Sequence, residues 1–165
     1  MIASDIDEAA LASAQTIVRS NENLKGKVEL RHQTDAKRIF SGILSKGDQI
    51  DLVICNPPFH ESAAAALKVS QRKNKNLHEK QSPKLNFGGK HNELWCEGGE
   101  LSFIGMMIEE SKSHHHQINL FSSLVSKEAN LKPIKGMIKK GGAKFLQEIK
   151  MEFGNKKSRI ILWSF

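Results

Sequence analysis

The sequence predicts an α/β protein built on a mostly parallel sheet, and three observations carry that expectation. Short β-branched runs alternate with segments of helical periodicity at the spacing of βαβ units. Two of the early strands stop at Asp5 and at Asn56, and strand ends of this kind are where doubly wound sheets place their chemistry. Near the C-terminus, two strand-like runs are joined through Gly154-Asn155, which predicts a closing antiparallel hairpin.

Ile2–Asp5 reads as the end of a strand, and Asp7 as the cap of an Ala- and Leu-rich helix running to about Ser20. A turn at 21–26 leads into an alternating strand at 28–32, after which Asp35 can cap a short helix through Ile43. Gly47-Asp48 turns the chain into Ile50–Cys55, a β-branched run expected to be a buried strand. It stops at Asn56-Pro57-Pro58-Phe59, a loop that two prolines make rigid. A short Ala-rich helix is expected at about 61–67, and the stretch 69–96 loses periodicity and reads as a long irregular loop. A helix over 97–113 follows, with Leu101, Ile104, Met107 and Ile108 on one face. The rest is a strand at Ile118–Val125, a basic helix at 131–140 closed by Gly141-Gly142, and strands at 143–153 and 158–165. No internal repeat is present.

The 165 residues suit one domain spanning 1–165, and 39% hydrophobic with 26% charged residues is ordinary for a globular chain. No apolar run approaches the ~18 residues of a membrane helix. Acid at Asp5 comes too early for a secretory signal, so a cytoplasmic location is expected. Cys55 and Cys96 lack metal-type spacing and read as buried free thiols. His114-His115-His116 point in different directions at a helix end and read as solvated, so no metal is expected. The formal charge of +7 favours a polyanionic partner. The charge gathers in the loop, where Lys68, Arg72, Lys73, Lys75, Lys80, Lys84 and Lys90 face only Glu79. Lys132, Lys135 and Lys139 share a helical face that could meet phosphate, although a solvated face is the commoner explanation.

Asn56-Pro57-Pro58-Phe59 suits methylation of a planar amine. The lone pair of an adenine amino group is delocalised into its ring and is a poor nucleophile. An Asn56 side-chain oxygen and the Pro57 carbonyl, each accepting one amino hydrogen, would turn that lone pair toward a methyl donor. Phe59 offers a face on which an extruded base stacks. The plain structural alternative is a proline-rich turn. Asp5 lies where such sheets hold a ribose through its two hydroxyls, with Ile6 flanking the cofactor's adenine. Gln33 and Asp35 are candidates for the adenine end of the cofactor, with helix capping by Asp35 an equal alternative. Gly98-Gly99, like Gly88-Gly89, read by default as flexible loop glycines.

These residues resemble the RlmF-type 23S rRNA adenine-N6 methyltransferases, a family related to the human U6 small nuclear RNA adenine methyltransferase. The resemblance rests on Ser4-Asp5-Ile6-Asp7, Asn56-Pro57-Pro58-Phe59, Gly88-Gly89, the segment Asn92-Glu93-Leu94-Trp95-Cys96-Glu97-Gly98-Gly99-Glu100-Leu101, Leu131-Lys132-Pro133 and Leu162-Trp163-Ser164-Phe165. It implies a Rossmann-like class I fold with strand order 3-2-1-4-5-7-6, S-adenosylmethionine as donor, no metal, and N6 of an adenine in large-subunit rRNA as acceptor. Asn56, Pro57, Pro58 and Phe59 would then position the base, and Asp5, Ile6, Gln33, Asp35 and Asn56 would meet the cofactor. Lys68, Arg72, Lys73, Lys75, Lys84 and Lys90 would meet RNA. The sequence departs from the family in having no strand and Gly-rich turn before Asp5. The missing strand is the central one, so strands 2 and 4 are expected to carry unpaired edges through which two copies could pair. On this ground the chain is expected to be a fragment, the product of a misplaced start, or a relic, and to bind cofactor poorly alone. The rival functions are methylation of a glutamine amide in a protein and non-catalytic RNA binding.

Overall fold

A computed structural model describes residues 1–65, 95–153 and 156–165, with the side chains of 153, 156 and 157 left aside. The expected basic residues Lys68, Arg72, Lys73, Lys75, Lys80, Lys84 and Lys90 lie outside these residues, as do Gly88-Gly89 and Gly154-Asn155. Two compact units, Met1–Asp48 and Gln49–Phe165, each carry their own sheet.

In the first unit, β1 (Ile2–Asp5) and β2 (Glu29–His32) pair in parallel, with Asp5 opposite His32. Between them runs α1 (Glu8–Ser20), capped as expected by Asp7, whose carboxylate accepts from the Ala9 and Ala10 amides at 2.8 and 3.3 Å. The helix expected from Asp35 to Ile43 does not form; the segment is a succession of turns. Asp35 Oδ1 accepts from the Lys37 amide at 2.9 Å, and Gly42 sits at φ 87°. The Asp35 bond to Lys37 is the one an N-cap makes, but the chain turns away within a few residues, and a segment this short does not by itself offset the cost of helix nucleation. Arg31 of β2 ties the unit's end down, donating to the Ile43 carbonyl at 2.7 Å and pairing with the Asp48 carboxylate, which also accepts from the Ser45 amide. The Arg31 guanidinium, helped by that amide, holds Asp48 below the usual carboxylate range. The small core includes Val18, Phe40 and Ile43.

In the second unit the order is β3 (Ile50–Cys55), β4 (Ile118–Val125), β6 (Lys156–Ser164), β5 (Phe145–Phe153). β3 and β4 are parallel, while β6 runs antiparallel to both β4 and β5. The two sheets therefore reproduce the segments 3-2 and 4-5-7-6 of the expected order, with the closing hairpin in place. α2 (Gly99–His114) and α3 (Glu128–Lys140) pack on this sheet. Phe121 stacks on Trp163 at 5.7 Å between ring centroids, and both rings are buried, as are Ile104, Met107, Ile134 and Ile138. Every one of these side chains is sealed from solvent, so hydrophobic burial here is close to complete.

Three expectations need correction in this unit. β3 is not buried: Leu52 is 45% and Ile54 82% exposed, because within its sheet β3 is bonded on one side only, by β4. α3 starts at Glu128 rather than Leu131, and Pro133 lies inside it. Lys135 does not stand free on the helix, since it pairs with Glu148 of β5 at 2.6 Å. Of the helix expected at 61–67, residues 63–65 are helical and the remainder lies outside the described residues. No described helix is long and apolar enough to cross a membrane. No metal-type cluster occurs among the described residues, and the His114 and His115 rings pair with carbonyls of their own helix turn.

Truncating a ring inside such a core removes its transfer free energy and leaves a cavity. Phe121→Ala is expected to lower stability by about 3–5 kcal/mol, read as a fall in the urea midpoint with an unchanged slope.

Candidate active site

Each unit brings one group of sequence-predicted residues to the C-terminal ends of its parallel strands. In the first, Asp5 ends β1 and its carbonyl accepts from the Gln33 amide at 2.9 Å, which carries the ladder one step past β2. The Asp5 carboxylate accepts from the Asp7 amide at 2.8 Å, a bond that orients it. Ile6 is partly exposed, and its carbonyl lies 3.2 Å from His32 Nε2. Gln33 is 6% exposed. Its side-chain nitrogen donates to the Ser41 carbonyl at 3.1 Å and its oxygen accepts from the Asp35 amide at 3.1 Å. Both ends of that amide are occupied by main chain, so Gln33 shapes the turn that carries Asp35. Asp35 in turn pairs with Arg38 at 3.2 Å.

In the second unit β3 delivers Asn56 to an exposed position while Pro57 and Pro58 are buried behind it and Phe59 is half-buried. This alternation follows from the residues. Two prolines have no amide to satisfy and pack as apolar wedges, which leaves the Asn side chain outside and the loop backbone with little freedom. Beneath the loop, Ser122 Oγ donates to the Val53 carbonyl at 2.7 Å, and Cys55 stands opposite Ser123 across the β3–β4 ladder. Burial pushes the Cys55 thiol up to about 11, with a hydrogen bond from Ser123 only partly offsetting it. Burial also raises Cys96, against bonds to the Gly99 and Phe103 backbone.

Past Phe59 the chain meets a second segment. His60 forms a parallel bridge with Trp95, and its carbonyl accepts from the Cys96 amide at 3.1 Å. The glycines read as flexible are fixed: Gly98 and Gly99 adopt φ 75° and 62°, and a Cβ on Gly99 would stand 2.8 Å from Glu61 Cγ. Lys127 reaches Glu61 at 3.5 Å. Sequence reasoning also passed over Glu100. Its carboxylate is 1% exposed and accepts from the Ser126 amide at 2.6 Å, the Lys127 amide at 3.3 Å and Asn130 Nδ2 at 2.7 Å. The available signal was an acid directly after two glycines at a helix start.

Strand order, parallel pairing and the reversed last hairpin together define the class I methyltransferase fold. The family model described as RNA methyltransferase matches residues 1–165, and the chain belongs to that family. It is 47% identical over 174 residues to the ribosomal RNA large subunit methyltransferase F of Shewanella loihica, covering 99% of this chain and 44% of that protein. It is 48% identical over 169 residues to the Pseudomonas entomophila protein of the same name, covering 99% and 53%. The chain thus spans about half the length of these curated relatives. Among solved structures, the human METTL16 catalytic domain in complex with a MAT2A 3'UTR hairpin superposes with a TM-score of 0.80 at 24% identity, over 99% of this chain and 55% of that one.

A thiol held near 11 is almost wholly protonated at pH 8. Alkylation of Cys55 in the folded protein is expected to run about 100-fold slower than in the urea-unfolded chain, as read by peptide mass spectrometry. The linkage sign follows. The unfolded chain loses this proton near 9.0 and the folded chain near 11, so the contribution of Cys55 to stability is whole below 9.0 and disappears as pH rises to 11. Cys55→Ala is expected to flatten that part of the stability profile.

Proposed function

We propose that this chain carries the acceptor loop and part of the donor site of an enzyme that transfers a methyl group from S-adenosylmethionine to N6 of an adenine in large-subunit rRNA. The single observation that carries the proposal is the state of the Asn56–Phe59 loop, with Asn56 exposed, both prolines buried and Phe59 half-buried at the end of a parallel strand. The names of the relatives favour rRNA over a glutamine amide as acceptor.

The residues present fit the donor at its ribose end. Asp5 is an acceptor-only group at the end of β1, oriented by the Asp7 amide, and two ribose hydroxyls are donors. Gln33 and Asp35 form the turn beside it, and Ile6 supplies an apolar surface for the adenine of the donor. A METTL16 domain structure in complex with SAH shares the fold at a TM-score of 0.69. When bound, the donor supplies an electrophilic methyl carbon. Everything else falls to orientation. Asn56 and the Pro57 carbonyl accept the two amino hydrogens, the lone pair is released from the ring, and Phe59 holds the base plane. Both prolines are anchored, so the acceptors need little reorganisation when the base arrives. The basic residues Lys68, Arg72, Lys73, Lys75, Lys84 and Lys90 suit phosphate contacts, which neutralise charge without reading sequence.

Tritium transfer from labelled S-adenosylmethionine to large-subunit rRNA, followed by digestion to nucleosides, tests this. Label is expected in N6-methyladenosine, and Asn56→Ala is expected to slow transfer by about 10²–10³-fold, the usual cost of one preorganised polar contact. Label in another nucleoside or in protein glutamine, or transfer at full rate by Asn56→Ala, would sink the proposal. RNA binding without any transfer would leave a binding role only.

A further inference from the structure

Among the described residues of the second unit, Glu100 is the one buried acid, and it reaches away from its own helix. Its three donors are the Ser126 and Lys127 amides, where β4 passes into α3, and the side chain of Asn130. α3 has no side-chain cap at Lys127, and Glu100 accepts from the two amides just ahead of it, those of Ser126 and Lys127. A buried carboxylate is tolerated only when its oxygens are filled, and this ties the start of α2 to the start of α3.

Directly before Glu100, the turn over residues 96–99 closes on itself, with the Gly99 amide donating to the Cys96 carbonyl at 2.9 Å and Cys96 Sγ lying 3.3 Å from the Gly99 carbonyl. The outer side of this turn touches His60 and Glu61. The Cys96 amide holds the His60 carbonyl, and the place a Gly99 Cβ would take is 3.3 Å from both the Glu61 nitrogen and the His60 carbonyl carbon. Lys127, whose amide Glu100 binds, completes the contact through its ion pair to Glu61. His60 directly follows Phe59. The loop therefore has two anchors: buried prolines at its start, and an abutment at its end that Glu100 fixes in place.

We propose that Gly99 and Glu100 are positioning residues for the Asn56–Phe59 loop. Gly99 lets the turn close onto His60 and Glu61, and Glu100 locks that turn to the β4–α3 junction. The inference rests on the function proposed above only for what the loop does, and a structural readout keeps the two separable.

The test uses the full chain with Gly99→Ala, Glu100→Gln and the double variant Gly99→Ala/Glu61→Ala. Hydrogen exchange reports the Cys96 amide and the His60–Glu61 peptide, and methyl transfer reports the loop's work. Gly99→Ala is expected to speed exchange at Cys96 about fivefold to tenfold. It is also expected to lower kcat by about 100-fold, with the Kd for S-adenosylmethionine unchanged. The double variant removes the side-chain carbon met by the new Cβ and is expected to recover part of both losses. Glu100→Gln turns an N–H donor toward the donors it should accept from, and faster exchange is expected to reach His60 as well as Ser126. Normal exchange and kcat in Gly99→Ala, or equal losses in the single and double variants, would overturn the part assigned to Gly99. Faster exchange confined to 126–130 in Glu100→Gln would overturn the part assigned to Glu100. If Glu100→Gln does not fold, Asn130→Leu removes one donor only, and unchanged exchange at His60 in that variant overturns the Glu100 part equally. If the unsubstituted chain transfers no methyl group, the exchange results alone decide the positioning roles.

Discussion

The second unit depends on the burial of one charge-bearing side chain. Taking a carboxylate out of water is costly unless each lone pair finds a donor, and Glu100 finds three at the junction of β4 and α3. That requirement dictates more than a single contact. It sets where α3 begins, holds the first turn of α2 against the end of β4, and leaves the 96–99 turn facing the chain that leaves Phe59. A hydrophobic substitute could fill the space, but it would leave the Ser126 and Lys127 amides, just ahead of α3, without this acceptor.

Around this polar joint the unit is built from ordinary materials. β4 is central, receiving β3 in parallel and β6 in antiparallel, and its inward residues meet both helices. The stack of Phe121 on Trp163 spans the β4–β6 pair, so the strand that supports the acceptor loop is braced by the strand that ends the chain. Rigidity at the loop is thus inherited: prolines fix the local backbone, the ladder fixes its origin, and the remote acid fixes its exit.

Much of this was legible in the sequence, and each exception has a physical cause. Asp7 before an Ala-rich run, an apolar run ending at Asn56, and two strand-like runs either side of Gly154-Asn155 are local signals, and α1, β3 and the antiparallel β5–β6 pair follow from them. One miss arises where a partner lies far along the chain, as with Gly99 and Glu61. The start of α3 at Glu128 is easily missed because its N-cap residue, Lys127, makes no capping bond and leaves no local signal there. Gly98 and Gly99 looked flexible because the reason for their left-handed backbone, the close approach of Glu61, is invisible in composition. The helix expected after Asp35 gave way to turns although Asp35 makes a cap-type bond to the Lys37 amide, because a short segment does not offset the cost of nucleation and Gly42 takes a left-handed backbone within it. Of the candidate residues, the structure groups Asp5, Ile6, Gln33 and Asp35 at one sheet end and Asn56 to Phe59 at another.

The exposed flank of β3 has a practical meaning for anyone handling the protein. Within its own sheet β3 is bonded by β4 alone, and Leu52 and Ile54 on it are exposed, an apolar surface of the kind that favours self-association. Natural edges are commonly blunted by lysine, proline or a bulge, and the described part of this one offers only Asp51, whose carboxylate lies 3.4 Å from Asn119. Self-association through these side chains should therefore rise with concentration. A charged substitution at Ile54, outside the acceptor loop, is the natural way to make the chain tractable at the concentrations that structural work demands.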